Sequence, residues 1–188
     1  VRRTLDFAPR THKPLPFRVG EAVERARALA AHRLERQDVQ FEVEDASADE
    51  DLVLGDSHEM SQVFLNLFLN SLDAFDDKFR AFDGGERPRL HIEIATSEVD
   101  GQSVVRTIVA DNGPGASAET LDRIFDPFYS TKGATAKTEK LSSGLGMSIS
   151  YSIVEQHGGQ LRARSEPGVD FVVEIDLPIA RQGEEDGA

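Results

Sequence analysis

The 188-residue sequence contains no cysteine. That absence excludes a disulfide framework and a thiolate metal site, and it is compatible with a reducing compartment such as the cytoplasm. No run of about 18 or more apolar residues is present, and no secretory signal pattern, so these residues contain no membrane-spanning helix and no membrane contact is expected of them. Positive charge is scarce: 21 lysines and arginines face 34 acidic residues, a net charge of −13. Such a balance argues against binding nucleic acid through a broad basic face. There is no internal repeat. The first residue is Val1 and not methionine, from which the chain is expected to be cut from something longer. What remains is a chain with 39% hydrophobic and 29% charged residues, enough for one compact domain of ordinary size.

Periodicity divides the chain into elements. Val1 to Gly20, with Pro9, Pro14 and Pro16, reads as the end of a preceding helix followed by an extended linker. Val23, Ala26, Leu29, Ala30 and Leu34 recur at helical spacing and predict a helix from Val19 to about Arg36. Val39, Phe41 and Val43 alternate with polar neighbours as a half-buried strand, and Leu52-Val-Leu54 is a short strand ended by Gly55. Asp56 and Glu59 form an Asp-led capping pattern for a helix that runs to about Phe79. Two alternating strands, Leu90–Ile94 and Val104–Ala110, flank the hairpin pair Asp100-Gly101. A short helix over Ala118–Phe125, a loop from Asp126 to Ser143, and a helix over Gly144–Gln156 stopped by Gly158-Gly159 follow. The last strands are Leu161–Arg164 and Phe171–Leu177, and after Pro178 the tail is polar and acidic. Helices and hairpin-linked strands in this irregular order predict an α+β fold, a mostly antiparallel sheet with helices on one face.

The helix between Asp56 and Phe79 is unusual. It is apolar almost all round, yet Gln62, Asn66, Asn70 and Asp73 fall at i, i+4, i+8 and i+11 as a polar stripe. An unpaired buried polar group costs about 1–3 kcal/mol. Four of them predict either a cavity that holds water, a metal or a ligand, or a satisfied core network. Two glycine clusters stand after it. Asp111-Asn-Gly113-Pro-Gly115 follows a strand directly, a place where the carboxylate can accept hydrogen bonds and the backbone can approach a ligand. Gly144-Leu-Gly146-Met147 opens a helix, whose free amides suit phosphate. Between them Lys132, Lys137 and Lys140 put positive charge, opposed by Glu139, on a long loop within an acidic chain, as a polyphosphate cover would need.

Taken in order, these elements resemble the N, G1, F and G2 boxes of the histidine-kinase ATP-binding domain, in the wider GHKL superfamily. The residues that carry the likeness are Asn66-Leu-x-x-Asn70, Asp111-Asn-Gly-Pro-Gly115, Phe125-x-Pro-Phe128 with Thr131-Lys132, and Gly144-Leu-Gly146-Met147. It covers roughly Phe17 to Pro178. The resemblance implies a Bergerat-type two-layer α/β sandwich with a flexible ATP lid, and ATP and Mg²⁺ as cofactors. On it, Asn70 is the magnesium ligand through its amide oxygen, Asn66 lies towards the phosphates, and Asp111 accepts from the adenine amino group. Gly113 and Gly115 leave room for the base, Phe125 and Phe128 pack the lid hinge, and Tyr129 lies near base or ribose. Thr131 and Lys132 reach towards the phosphates, which Ser143, Gly144, Leu145, Gly146 and Met147 cradle. Asn66 and Lys132 are the catalytic candidates. The implied reaction is transfer of the ATP γ-phosphoryl group to a histidine on a dimerisation domain.

The forms Asn-x-x-x-Asn-Ser-x-Asp-Ala and Phe-Tyr-Ser-Thr-Lys are similar to the nitrogen-regulation-like branch. Three positions depart from the common pattern: Asp73 and Ser130 where relatives carry basic residues, and Gly168-Val-Asp170-Phe in the last glycine turn. None of His12, His32, His58, His91 and His157 has an acceptor context, so the chain is expected to bind ATP without phosphorylating itself. The implied division is residues 1–16 as the end of a dimerisation helix and linker, 17–179 as the catalytic domain and 180–188 as a polar disordered tail. The implied partners are the parent's own dimerisation domain and a cognate response regulator, in a cytoplasmic module of a homodimeric parent that has room for a membrane anchor. Three other functions share such an ATP site. An ATPase of the gyrase or heat-shock type is disfavoured because Asn66 stands where its general-base glutamate would be. An anti-sigma-type serine kinase is disfavoured by the linker-like start, and an inactive nucleotide-binding regulatory module by the intact Asn70, Asp111 and glycines.

Overall fold

A computed structural model describes residues 14–79, 86–130 and 144–180. Helix α1 (Val19–Arg36) buries Val19, Ala22, Val23, Ala26, Ala30 and Leu34, the stripe its spacing predicts. Helix α2 (Ser57–Lys78) starts where Asp56 accepts hydrogen bonds from the His58 and Glu59 amides. A cap of this kind is worth about 1 kcal/mol. Helix α3 (Ala118–Arg123) is a single short stretch capped by Ser117, and α4 (Gly146–Gln156) packs beside α2, which also packs on α1. The α4 helix begins at Gly146, two residues later than its pattern predicts, because Gly144 takes a left-handed φ of +63°.

The main sheet has five strands: β2 (Gln40–Asp45), β4 (Arg89–Val99), β5 (Gln102–Asp111), β6 (Gln160–Glu166) and β7 (Asp170–Pro178), in the order β2-β4-β5-β7-β6. Only β2 and β4 run parallel; the remaining pairs are antiparallel. Asp100 and Gly101, at φ +51° and +78°, close the β4–β5 hairpin with the two left-handed residues a type I′ turn requires. Register puts Val43, Ile92, Val109, Val173 and Ala163 in one row across the sheet. That face joins the helices in one core. The opposite face is polar: Arg106 grips Asp176 through two hydrogen bonds of 2.7 and 2.9 Å, and Arg162 bridges Glu174 and Asp176. One helical layer on one sheet is the α+β sandwich expected from the sequence.

Leu15–Phe17, which reads as extended linker, forms strand β1 and pairs antiparallel with β3 (Val53–Gly55). Three residues are too few to reveal a period, and the partner lies far along the chain. This small sheet is tied to the rest through His157. Its Nδ1 faces the Ile153 carbonyl at 2.8 Å, its Nε2 accepts the Asp56 amide at 3.0 Å, and its ring meets Phe17 edge-on. No helix among the described residues is long and apolar enough to cross a membrane.

Candidate nucleotide-binding site

A cavity of about 410 Å³ opens between α2, the β5–β7 end of the sheet, and the start of α4. This lies within the range of small-molecule sites. Leu67, Val109, Ile124 and Val173 are among its apolar lining residues, and its polar lining residues include one group around Asp111 and one around Asn66.

Asp111 forms one end. It is 6% exposed, at the end of β5. Its Oδ2 accepts from the Ser71 hydroxyl at 2.6 Å and its Oδ1 from the Gly113 amide at 2.9 Å. Burial raises its pKa above the ordinary carboxylate value, a shift opposed by these two hydrogen bonds and by Lys78. A carboxylate has about four lone-pair positions. Two are used here, so it can still accept from a ligand. The loop that follows is held from behind. Lys78 Nζ donates to the carbonyls of Asn112 (2.7 Å) and Gly113 (3.3 Å), and the Gly168 amide donates to Pro114 O at 2.8 Å. Gly115, at φ +68°, is required: a Cβ there would lie 2.6 Å from Glu166 O and 2.9 Å from Asp170 O. Its missing side chain thus makes room for the β6–β7 turn.

The other end is built by α2 and α4. The Asn66 amide nitrogen reaches Gly146 O at 3.4 Å and Ser150 Oγ at 3.3 Å. Asn70, one turn on, lines the cavity and has no hydrogen-bond partner among the described residues. Helix α4 is preceded by Leu145, which supplies no side-chain cap, and has no acidic residue in its first turn. Gly146 and Met147 line the cavity there, so the first turn of α4, with its orphan amides and the positive end of the helix dipole, borders it. Gly144 is required on steric grounds too, since a Cβ would lie 2.7 Å from the Phe128 carbonyl carbon. The Phe128 amide in turn donates to Gly144 O at 3.0 Å.

Of the residues singled out in the sequence, Asn66, Asn70, Asp111, Gly115, Tyr129, Gly144, Gly146 and Met147 line this one cavity. Gly113 donates its amide to Asp111, and Leu145 stands at the position just before α4. Phe125 packs on Tyr151, with ring centroids 5.3 Å apart. Phe128 departs from the expected hinge packing: it is 77% exposed, at φ +67°. Thr131, Lys132, Lys137, Lys140 and Ser143 lie outside the described residues. The polar stripe is corrected as well. A row at i+4 turns by about 40° per step around the helix. Asn66, Asn70 and Ala74 follow the cavity, while Gln62 has turned out to solvent. Asp73, seven residues after Asn66, returns to within about 20° of its azimuth on the side away from Asn70, and there it pairs with Arg33 of α1 at 2.7 Å. Residues the sequence reading missed are Ser71, Lys78, Ser150, Thr120 and Phe171. Ser71 directly follows Asn70 and was visible as a polar break in an apolar helix; Lys78 carries no local signal.

The model of the family described as "Histidine kinase-, DNA gyrase B-, and HSP90-like ATPase" matches residues 55–181, which include both ends of the cavity. The chain belongs to this family. Membership in these ATPases implies ATP binding. Sensor histidine kinase ZraS of Klebsiella oxytoca is 36% identical over 136 residues, 72% of this chain and 25% of that protein. Sensor protein FixL of Bradyrhizobium diazoefficiens is 30% identical over 182 residues, 96% of this chain and 32% of FixL. The chain thus spans a quarter to a third of the length of these two relatives. Among solved structures, the nucleotide-free catalytic domain of histidine kinase ThkA matches with a TM-score of 0.70 at 24% identity, covering 90% of this chain and 100% of that one. Full-length ShkA in complex with AMPPNP matches with a TM-score of 0.66 at 22% identity, over 90% of this chain and 32% of ShkA. Both likenesses establish the same fold.

Proposed function

We propose that this chain is the ATP-binding catalytic module of a sensor histidine kinase, which presents the γ-phosphoryl group to a histidine on a dimerisation domain. The observation that carries the reading is a single cavity with a hydrogen-bonded carboxylate at one end and an unpartnered amide beside an uncapped helix start at the other. ATP has the complementary polarity: a base with an exocyclic amino donor at one end, a polyanion at the other. Asp111 accepts from the adenine amino group, the apolar lining holds the base, and the α4 amides bind phosphate oxygens.

The donor set fits a hard cation. The oxygens of Asn70 and Asn66 are neutral ligands of the kind magnesium takes beside phosphate. When bound, magnesium would neutralise charge on the phosphates during transfer. Among the described lining residues there is no lysine or arginine. The remaining positive charge is therefore assigned to Lys132 and its neighbours. In the transfer, the histidine nitrogen bonds to the γ-phosphorus as the bond to the β–γ bridging oxygen breaks, and ADP leaves. Hydrolysis is the weaker reading. Asp111 is the one carboxylate among the described lining residues, and it belongs to the base end. Asn66 cannot take a proton.

In the same reading the parent is a homodimer with a cognate response regulator, and the module works in the cytoplasm. The test is to mix this chain with a separately produced dimerisation domain that carries the acceptor histidine, together with ATP labelled at the γ-phosphorus. Base-stable, acid-labile label on the added domain is expected. ATP binding with release of labelled inorganic phosphate and no labelled domain would overturn the kinase reading in favour of an ATPase.

A further inference from the structure

Ser150 is a hydroxyl in a place that has no need of one. It is fully buried on α4, on the same side as Met147, Ile153 and Val154, where the helix packs on α2. An alanine there would satisfy helix propensity without the cost of burying a hydroxyl. The partner of the Ser150 hydroxyl is the Asn66 side-chain amide, at 3.3 Å across the two helices. The same amide group lies 3.4 Å from Gly146 O. A carbonyl only accepts, so the atom that faces it is the Asn66 nitrogen and not its oxygen. Both amide hydrogens of Asn66 are thereby directed onto α4. Its Oδ1 has no hydrogen-bond partner among the described residues, and Asn66 lines the cavity.

This orientation matters for what Asn66 can do. An asparagine presenting its nitrogen would donate to a phosphate oxygen. An asparagine presenting its oxygen would repel the same phosphate and attract a cation. We propose that Ser150 is a positioning residue that, with Gly146 O, holds the Asn66 amide with its oxygen towards the cavity, so that Asn66 and Asn70 offer two neutral oxygens to the cation that accompanies ATP. Ser150 touches neither nucleotide nor cation and acts through Asn66. The inference rests on the assignment of this cavity to ATP. It goes beyond that assignment by naming the residue that selects which end of the Asn66 amide faces the ligand.

The test is calorimetric titration of ATP into the whole chain in saturating MgCl₂ and, separately, in EDTA. Wild type, Ser150→Ala, Asn66→Ala and the double variant are compared, with the melting temperature of each. The ratio of affinity in magnesium to affinity in EDTA is expected to fall roughly three- to tenfold in Ser150→Ala, the scale of one hydrogen bond. Affinity in EDTA and the melting temperature should stay close to wild type. In the Asn66→Ala background, Ser150→Ala should change the ratio no further. Ser150→Cys, which keeps a weak acceptor at nearly the same volume, is expected to restore part of the ratio, and it serves in place of alanine should that variant fail to fold. An unchanged ratio overturns the proposal. So does an equal loss in both media that adds to the loss from Asn66→Ala, the result expected of plain packing. If wild type itself binds no ATP in either medium, the nucleotide assignment fails first and this proposal falls with it.

Discussion

The two ends of the cavity are built on opposite plans. At the Asp111 end the protein has already satisfied itself: both carboxylate oxygens are hydrogen-bonded, the loop behind is pinned by Lys78, and Gly115 packs against the β6–β7 turn. At the α4 end it has not. The side chain of Asn70 and Oδ1 of Asn66 have no hydrogen-bond partner among the described residues, and the first turn of α4 has no side-chain cap. On the proposed reading the difference follows from the ligand parts each end would meet. A neutral base is told from others by one or two hydrogen bonds, which discriminate only when the acceptor is fixed beforehand. A polyphosphate with its cation brings strong charge–dipole interactions of its own and is bound well by groups kept free for it.

Breaking the pre-built end should therefore cost most. Asp111→Asn replaces the anionic acceptor by a neutral amide whose one oxygen is held by the Gly113 amide. On the proposed reading it sets an NH₂ where Oδ2 met Ser71 and the adenine amino group needs an acceptor. Its ATP affinity is expected to fall on the order of 100-fold by calorimetry, in magnesium and in EDTA alike. Retention of wild-type affinity would remove Asp111 from the base end.

Asn70→Ala attacks the open end. About a tenfold loss is expected in magnesium and little or none in EDTA, because on the proposed reading the amide acts on the cation. Equal losses in the two media would instead make Asn70 a contact of the nucleotide itself.

The smallest effect should come from pH. Burial raises the pKa of Asp111, so its ionised acceptor is lost at a higher pH than for an ordinary aspartate. As pH falls through that raised value, wild type should lose ATP affinity while Asp111→Asn stays flat after the phosphate's own titration, common to both, is subtracted. Stability of the ligand-free chain should show the opposite sign. A raised folded-state pKa contributes stability that is present in full below the unfolded value and is lost as pH rises through the folded one. Wild type should thus gain on Asp111→Asn in melting temperature as the solution is made acid. Parallel profiles for the two proteins would contradict the assigned shift.

Local chemistry made much of this molecule readable in advance. The period of α1, the Asp56 cap, the Asp100-Gly101 turn and the paired asparagines of α2 each depend on residues within a turn or two of one another. The polar stripe of α2 was legible as an anomaly and only half legible as a site. Asn66 and Asn70 face the cavity, whereas Asp73 meets Arg33, forty positions earlier in the chain, and its negative charge is a helix–helix tie. The same limit hid β1, whose three residues gain meaning only beside β3.

By itself the sequence determined the longer helices and strands, where backbone amides are left free, and which acceptors are available, because propensity, capping and glycine conformation act within a few residues. Tertiary structure alone decided how those groups are used. It joined Ser71 to Asp111, Lys78 to the loop after β5, His157 to the start of α2, and Ser150 to Asn66. Each of these contacts spans 34 to 101 positions, and the direction of an amide or the fate of a carboxylate is set by the one atom packed against it.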